Sequence, residues 1–369
     1  MRVFKLERYF ARYEFQAKYL LSSSDCESLS QAELLALAGD DTRRMWEELI
    51  LGYTESQGHP LLREEIAKLY ENTSAEDILV AVPEEGIFLA MNSFPGKGGQ
   101  FLHPFPAYQS LSEIAYAAGY EPLAWPLRVE GGRWTLDLEQ LRRQVSPRMR
   151  LLVLNFPHNP TGYLPTEAEL REIVAIAREH NLFIFSDEMY RYLEHHPEER
   201  LPAICDIYEN GVSLGGLSKS FSLPGLRIGW LATRHKTLFE SLAQLKDYTT
   251  ICGSAPSEIL AIIGLQAKEV ILERNRSIVR NNLQLAREFF QSRQQDFQWL
   301  EPQGSSIAFP RLLRKIPVGT FCDAVVRQEN LMILPGDVYN FPGNHFRIGL
   351  GRKSFPEALA RLGAFLERI

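Results

Sequence analysis

The sequence has few cysteines, no long apolar run and no excess of positive charge. Its four cysteines are scattered without paired spacing, which indicates neither a disulfide framework nor a zinc site. The longest apolar run, residues 259–265, is too short to span a bilayer, and the charged N-terminus does not resemble a signal peptide. Forty basic and 46 acidic residues leave a net charge of −6, without the basic surface that nucleic acid or an anionic membrane attracts. We therefore expect a cytoplasmic protein that binds small molecules, and no nucleic acid or membrane partner.

The middle of the chain alternates short apolar runs with longer amphipathic stretches. Strands are predicted at 78–82, 150–154, 182–185 and 212–217 and up to residue 103, and helices at 87–94, 108–118 and 166–180. Near-continuous apolar strands that alternate with helices predict an α/β fold whose sheet is mostly parallel and covered on both faces.

From about residue 275 the pattern changes. A long helical stretch to residue 293 precedes short strands near 306–309, 331–334 and 345–350 and a final helix. We therefore predict a large domain over residues 40–275 and a smaller α+β domain formed by residues 1–39 and 276–369.

Polar residues follow three of the predicted strands, at 155–162, 187–190 and 218–227. Each cluster alone is typical of a turn, a helix cap or a solvated loop. In an α/β sheet, however, ligands bind beyond the carboxyl ends of the strands. Lys219, Asp187, Asn159 and Tyr190 together are what pyridoxal phosphate needs: an amine for a Schiff base, a carboxylate for the pyridine nitrogen, and two donors for the phenolic oxygen.

The ordered set of motifs resembles the fold-type I, class I/II pyridoxal-phosphate-dependent aminotransferases, over about four-fifths of the chain. Lys219 matches the family's Schiff-base lysine, Asp187 its pyridine-nitrogen aspartate, and Asn159 and Tyr190 its two contacts to the phenolic oxygen. The resemblance implies the pyridoxal-phosphate-dependent transferase fold, pyridoxal 5′-phosphate as cofactor, no metal, and catalytic roles for Lys219, Asp187 and Tyr190.

Further roles follow from the same resemblance. Arg227 matches the arginine that binds the cofactor phosphate, and Arg347 the arginine that binds the substrate α-carboxylate, beside Asn159. Tyr108 falls where an aromatic ring stacks on the pyridine. Tyr53 resembles the tyrosine that reaches the phosphate of a neighbouring subunit, which implies a homodimer with shared active sites.

The sequence departs from the family near the phosphate. The Gly/Ser-rich turn is replaced by Pro83-Glu84-Glu85-Gly86, and glycine stands at position 216 where a serine is common. We expect the backbone N–H groups of Glu84 and Glu85 to serve as the anion-binding helix N-terminus. The Glu84 carboxylate is expected to point away or pair with a base, and Ser218 is a substitute for the missing serine.

The resemblance leaves the reaction open. Transfer of an amino group from an L-amino acid to a 2-oxo acid is the favoured function. A pyridoxal-phosphate-dependent lyase or amino-acid cyclase of the same fold is the alternative, and a non-catalytic amino-acid sensor is a third possibility. The aromatic N-terminus makes an apolar or long-chain substrate plausible if it folds over the site, although aromatic stripes more often pack in the core.

Overall fold

The computed structural model describes every residue of the chain, from Met1 to Ile369. The α-helices are α1 (Lys5–Tyr13), α2 (Gln31–Ala36), α3 (Asp40–Glu47), α4 (Pro60–Ala67), α5 (Pro83–Ser93), α6 (Gln109–Ala117), α7 (Leu138–Gln144), α8 (Glu167–Glu179), α9 (Ile204–Ile207), α10 (Lys236–Lys246), α11 (Ala255–Gln266), α12 (Lys268–Gln291), α13 (Val318–Glu329) and α14 (Phe355–Leu366). The strands are β1 (Tyr19–Leu20), β2 (Ile78–Ala81), β3 (Gln100–Phe105), β4 (Glu121–Pro126), β5 (Arg128–Glu130), β6 (Arg133–Thr135), β7 (Met149–Asn155), β8 (Phe183–Asp187), β9 (Gly211–Gly216), β10 (Gly229–Ala232), β11 (Phe297–Gln298), β12 (Ile307–Ala308), β13 (Arg311–Leu312), β14 (Leu331–Met332), β15 (Leu334–Pro335) and β16 (Phe346–Gly349).

The central sheet has seven strands in the order β2-β10-β9-β8-β7-β3-β4. Strand β10 is antiparallel to both of its neighbours, and all other pairs are parallel. Asn155 and Asp187 are register partners at the carboxyl ends of β7 and β8. The predicted mostly parallel α/β sheet is confirmed, and it brings two of the polar clusters to one edge.

Helices cover both faces of this sheet, which explains why its strands are apolar on both sides. Leu79, Val153 and Leu214 pack on one face with apolar side chains of α5, α6 and α10. Alternate residues face the other way, where Leu152 and Ile184 pack against α8. The same face continues towards β2 and β10 with apolar side chains of α4 and α11.

Helix α5 begins at Pro83, four residues before the predicted start. Proline is favoured at the first helical position, and the Glu85 carboxylate accepts a hydrogen bond from Val82 N at 3.3 Å. The apolar periodicity starts only at Ile87, and the preceding polar turn therefore concealed the true start of the helix.

The ring of Pro83 explains the glycine at position 216. A Cβ built on Gly216 would lie 2.9 Å from Met189 Sδ and 3.2 Å from Pro83 Cγ. A Cβ on Gly229 would lie 2.8 Å from the same Cγ. A serine at 216 is therefore incompatible with Pro83 and Met189 in their present positions.

The C-terminal part forms a second core around the antiparallel sheet β12-β16-β15. Strand β1 pairs in parallel with β14, and Leu21 and Cys26 are buried in this core. Leu34 of α2 packs instead with α4 and α11, on the large sheet. The division into residues 40–275 and the two flanking segments stays a prediction.

None of the helices combines the length and the apolar character that a membrane crossing requires.

Candidate active site

A cavity of about 460 Å³ lies at the carboxyl ends of the central strands, between the sheet, α1 and the second core. Most of the predicted site residues line it; they are Glu84, Tyr108, Asn159, Asp187, Tyr190, Ser218, Lys219, Arg227 and Arg347. Glu85 and Tyr53 do not. Residues from distant parts of the sequence therefore share one cavity.

Lys219 follows β9, and its Nζ donates a hydrogen bond to Ser24 Oγ at 2.8 Å. Burial lowers the pKa of this amine, although the nearby carboxylates of Asp25 and Asp187 oppose the shift. A lowered pKa favours the neutral amine, which is the form that attacks an aldehyde carbon or accepts a proton.

Asp187 ends β8 and is buried. Its Oδ1 accepts a hydrogen bond from Met189 N at 3.1 Å, and its backbone carbonyl accepts one from Asn155 Nδ2 at 3.0 Å. Burial raises the pKa of this carboxyl to about 7, and no cation forms an ion pair with it. A cationic N–H group brought into the cavity would therefore restore the charged form of Asp187.

Arg347 is fixed by three hydrogen bonds. Nη1 donates to Asn159 Oδ1 at 3.2 Å and to Tyr339 Oη at 2.8 Å, and Nη2 donates to the Ser22 carbonyl at 2.9 Å. The side chain is 2% exposed, and its Nε has no partner. The guanidinium is thus held in one orientation at the wall of the cavity.

We expected Glu84 to point away from the cavity or to pair with a base. It does neither, because it lines the cavity and forms no salt bridge. Its carboxylate lines the cavity and accepts hydrogen bonds from the hydroxyls of Ser110 and Tyr108. Burial raises its pKa, and the guanidinium of Arg227 partly offsets that shift. The partners of the Glu84 carboxylate are therefore two hydroxyl donors and not the base that we expected.

Glu85 and Tyr53 lie elsewhere. The Glu85 carboxylate accepts hydrogen bonds from the hydroxyls of Thr249 and Thr250. Only its backbone, in the first turn of α5, remains available for the predicted anion site. Tyr53 is 94% exposed and lies outside the cavity. Its predicted contact with a neighbouring subunit stays a prediction.

Several contacts in the site escaped sequence reasoning. Ser24 accepts from Lys219, Tyr339 accepts from Arg347 and donates to Asn159 Oδ1 at 3.1 Å, and Asn155 Oδ1 accepts from Asn159 N at 2.8 Å. Ser24 lies in a run of three serines that belongs to none of the motifs described above. Tyr339 carries no local signal, because it is an ordinary apolar position at the end of a short 3-10 helix.

The residues present fit pyridoxal phosphate. The hydroxyl of Tyr190 is buried without a hydrogen-bond partner, and burial raises its pKa to about 12. Asp187 forms no ion pair, and Lys219 lines the same cavity. The first turn of α5 offers backbone N–H groups beside Arg227, which suit a phosphate. Each polar part of the cofactor would thus meet a group that suits it.

The family model of "Aminotransferase class I and II" matches residues 18–362 of the chain. The chain therefore belongs to this family. It has the pyridoxal-phosphate-dependent transferase fold, and it is a pyridoxal-phosphate-dependent enzyme.

The proteins similar to this chain include a synthase, an aminotransferase and a cyclase. The chain is 29% identical to capreomycidine synthase of Streptomyces vinaceus, over 99% of this chain and 93% of that protein. It superposes on a pyridoxal-phosphate-dependent aminotransferase from Streptococcus suis with a TM-score of 0.93, at 29% identity, covering 100% of this chain and 98% of the other. The pyridoxal-phosphate-dependent cyclase OrfR gives a TM-score of 0.91 at 25% identity, with the same coverage.

Proposed function

We propose that the chain transfers the amino group of an L-amino acid to a 2-oxo acid, with Lys219 as the amine that holds the cofactor. The observation that carries this proposal is the convergence of Lys219, Asp187 and Arg347 on one cavity. An amine, a carboxyl and a carboxylate-binding guanidinium are the groups that amino-acid chemistry on this cofactor requires.

When bound, pyridoxal phosphate supplies an aldehyde carbon that condenses with amines and a conjugated ring that accepts the electron pair left at a substrate Cα. The amine of Lys219 would take the proton from the substrate Cα and deliver it to the carbon that the bound cofactor supplies as its aldehyde carbon. Its lowered pKa favours the neutral amine, which is the form that this role requires. Asp187 would hold the proton on the ring nitrogen, and Tyr190 and Asn159 would donate to the phenolic oxygen.

Arg347 would bind the substrate α-carboxylate. Its bonds to Tyr339 and to Ser22 fix the plane of the guanidinium before the substrate arrives. A preformed fork of donors loses little conformational entropy on binding a carboxylate. Arg227 and the first turn of α5 would hold the phosphate at the other end of the cavity.

A cyclase or lyase reaction is the second candidate, and the likeness to capreomycidine synthase and to a pyridoxal-phosphate-dependent cyclase supports it. Lys219, Asp187 and Arg347 would have the same tasks in such a reaction as in amino-group transfer. Those residues therefore do not discriminate between the two functions.

The test is a screen of the holoenzyme against amino acids, first without an acceptor and then with 2-oxoglutarate or pyruvate. An aminotransferase releases oxo acid in an amount equal to the enzyme and turns over repeatedly only when the acceptor is added. Sustained turnover without acceptor would refute amino-group transfer and favour the cyclase or lyase.

We also propose a homodimer. Ile50, Leu51 and Tyr53 are 83%, 82% and 94% exposed, and such an apolar stretch is typical of a surface that another chain covers. Mixing inactive Lys219→Ala chains with inactive Tyr53→Phe chains tests whether the sites are shared. Hybrid dimers regain one intact site if Tyr53 crosses between subunits, and unchanged activity after verified exchange would refute the shared site.

A further inference from the structure

The cavity is lined by two acidic side chains to which the proposed function assigns no role. The basic side chains are Lys219, Arg227, Arg347 and Arg352, and the acidic ones are Glu7, Glu14, Asp25, Glu84 and Asp187. Three of the basic groups serve the cofactor and the α-carboxylate in the proposed function. The fourth, Arg352, donates to both oxygens of Asp25 at 3.0 and 2.8 Å.

Among the acids, Asp187 faces the cofactor ring in the proposed function, Asp25 is paired with Arg352, and Glu84 accepts from two hydroxyls. Glu7 and Glu14 remain. Both line the cavity, and neither has an ion pair or a side-chain hydrogen bond. Two carboxylates of the cavity wall thus form no ion pair with the chain.

Both residues belong to the N-terminal segment that covers the cavity. Glu7 lies in α1 and Glu14 is its C-cap, two helical turns later. Phe10 lies between them on the same face, because residues three or four apart on a helix are neighbours. The guanidinium of Arg347 lies 5.8 Å from the centre of the Phe10 ring. A substrate whose carboxylate binds Arg347 would therefore meet the ring of Phe10 and, farther along the helix, the carboxylates of Glu7 and Glu14.

The negative potential of this wall is visible in neighbouring groups. Glu7 contributes to raising the pKa of Glu84 and of Tyr108, and it opposes the lowering of the pKa of Lys219. Burial raises the pKa of Glu14, the charges of Asp25 and Glu7 add to that shift, and those of Arg352 and Lys219 oppose it. A cation placed among these groups would relieve their mutual repulsion.

The cluster also belongs to a ligand site and not to an ordinary acidic surface. Tyr190 and Arg347, each 2% exposed, present an unpartnered hydroxyl and an unpartnered Nε in the same cavity.

We propose that the amino acid bound here carries a cationic side chain on an aliphatic stem, with the stem against Phe10 and the positive charge between Glu7 and Glu14. This inference rests on the proposed amino-acid chemistry. It narrows the substrate class to lysine-, ornithine- or arginine-like molecules. It also replaces the apolar substrate that the aromatic N-terminus suggested, since Phe4 packs on Tyr108 and Tyr9 on Tyr13.

The experiment compares L-arginine with L-citrulline, its neutral near-isostere, by absorbance titration of the holoenzyme and by kcat/KM. L-lysine and L-norleucine form a second pair. We expect the cationic member to be favoured about 10- to 100-fold, the usual value of a hydrogen bond to a charged group. In the Glu7→Gln, Glu14→Gln double variant the preference for arginine over citrulline should fall at least about tenfold, while the binding of citrulline stays the same. Glu240→Gln, an exposed glutamate of α10 with no ion pair, is the matched control.

Equal binding of arginine and citrulline, or a double variant that keeps the preference, would overturn the inference. If neutral or dicarboxylic amino acids react and cationic ones do not, the substrate class is wrong while the proposed function stands. If no amino acid of any kind changes the absorbance of the holoenzyme, the proposed function fails and this inference fails with it.

Discussion

Replacing Glu84 by glutamine should tighten the binding of pyridoxal phosphate. Glu84 lies in the first turn of α5, where the phosphate is expected, and its carboxylate is held in the cavity by Ser110 and Tyr108. A charge fixed in this way cannot swing away when an anion arrives. Glutamine keeps the size and one acceptor oxygen for these hydroxyls while it removes the charge.

The magnitude follows from Coulomb's law. At an effective dielectric constant of about 20, two unit charges repel by about 4 kcal/mol at about 4 Å and by about 2 kcal/mol at about 8 Å. Arg227 offsets part of this repulsion, since it stabilises the carboxylate of Glu84 as well as an anion. A net gain of about 1.4 kcal/mol corresponds to a tenfold lower dissociation constant, which we take as the minimum effect.

The sign of the pH dependence follows from the raised pKa of Glu84. This carboxyl takes up a proton at a higher pH than a free glutamic acid does. The repulsion is therefore complete in alkaline solution and disappears as the pH falls through the pKa of Glu84. The ratio of the two dissociation constants, parent over variant, should be large in alkaline buffer and approach one in acidic buffer.

The assay is a fluorescence titration of the apoprotein with pyridoxal phosphate, repeated with pyridoxal, which has no phosphate. Glu85→Gln is the matched control, because the Glu85 carboxylate faces Thr249 and Thr250 instead of the cavity. Equal affinities of Glu84→Gln and the parent in alkaline buffer would refute the reasoning. So would an equal gain for pyridoxal.

Three further changes test the rest of the site. The Asp187→Asn apoprotein should unfold at a higher temperature than the parent in alkaline buffer. The pKa of Asp187 is about 7, so the ionised carboxyl lowers the free energy of unfolding by up to about 4 kcal/mol. Calorimetry should show that the difference in unfolding temperature becomes smaller as the pH falls towards about 4. Arg347→Ala should weaken the binding of amino acids and oxo acids by about 2–5 kcal/mol in titrations, while the binding of amines without a carboxylate stays the same. Equal losses for both kinds of ligand would indicate a structural defect. Tyr339→Phe removes the hydroxyl that accepts from Arg347 Nη1 at 2.8 Å. KM should rise by a factor equivalent to about 1–3 kcal/mol of binding free energy, with kcat nearly unchanged. A loss confined to kcat would contradict a positioning role.

Much of the fold could be predicted because the central strands are short, apolar and separated by amphipathic helices. The boundaries of α6 and α8 and of β7 agree with the prediction to within about a residue. Strand β10 was not predicted, since its Gly-Trp-Leu-Ala sequence follows directly on a loop and is too short to show a period. Helix α12 begins at Lys268, several residues before the predicted start.

The candidate site could be predicted where chemistry and motif coincide and not where only the tertiary structure brings side chains together. Lys219, Asp187 and Arg347 belong to local motifs and line one cavity as expected. Glu7 lines the same cavity, and Tyr339 contacts Asn159 and Arg347 at its wall, and both come from segments with no local signal. Their positions depend on the packing of chain ends that periodicity does not describe.

The N-terminal segment has a consequence for the order in which the molecule assembles. Strand β1 pairs with β14, Gly349 N donates to the Leu21 carbonyl, and Arg347 Nη2 to the Ser22 carbonyl. The segment around residues 19–22 thus finds its partners only when β14 and β16 have been synthesised. Until then the central sheet can fold as a unit, but the wall of the cavity that carries Glu7 and Ser24 cannot dock. A nascent chain that lacks β14 and β16 would hold Lys219 in an open groove, so that a complete site requires the synthesis of these two strands.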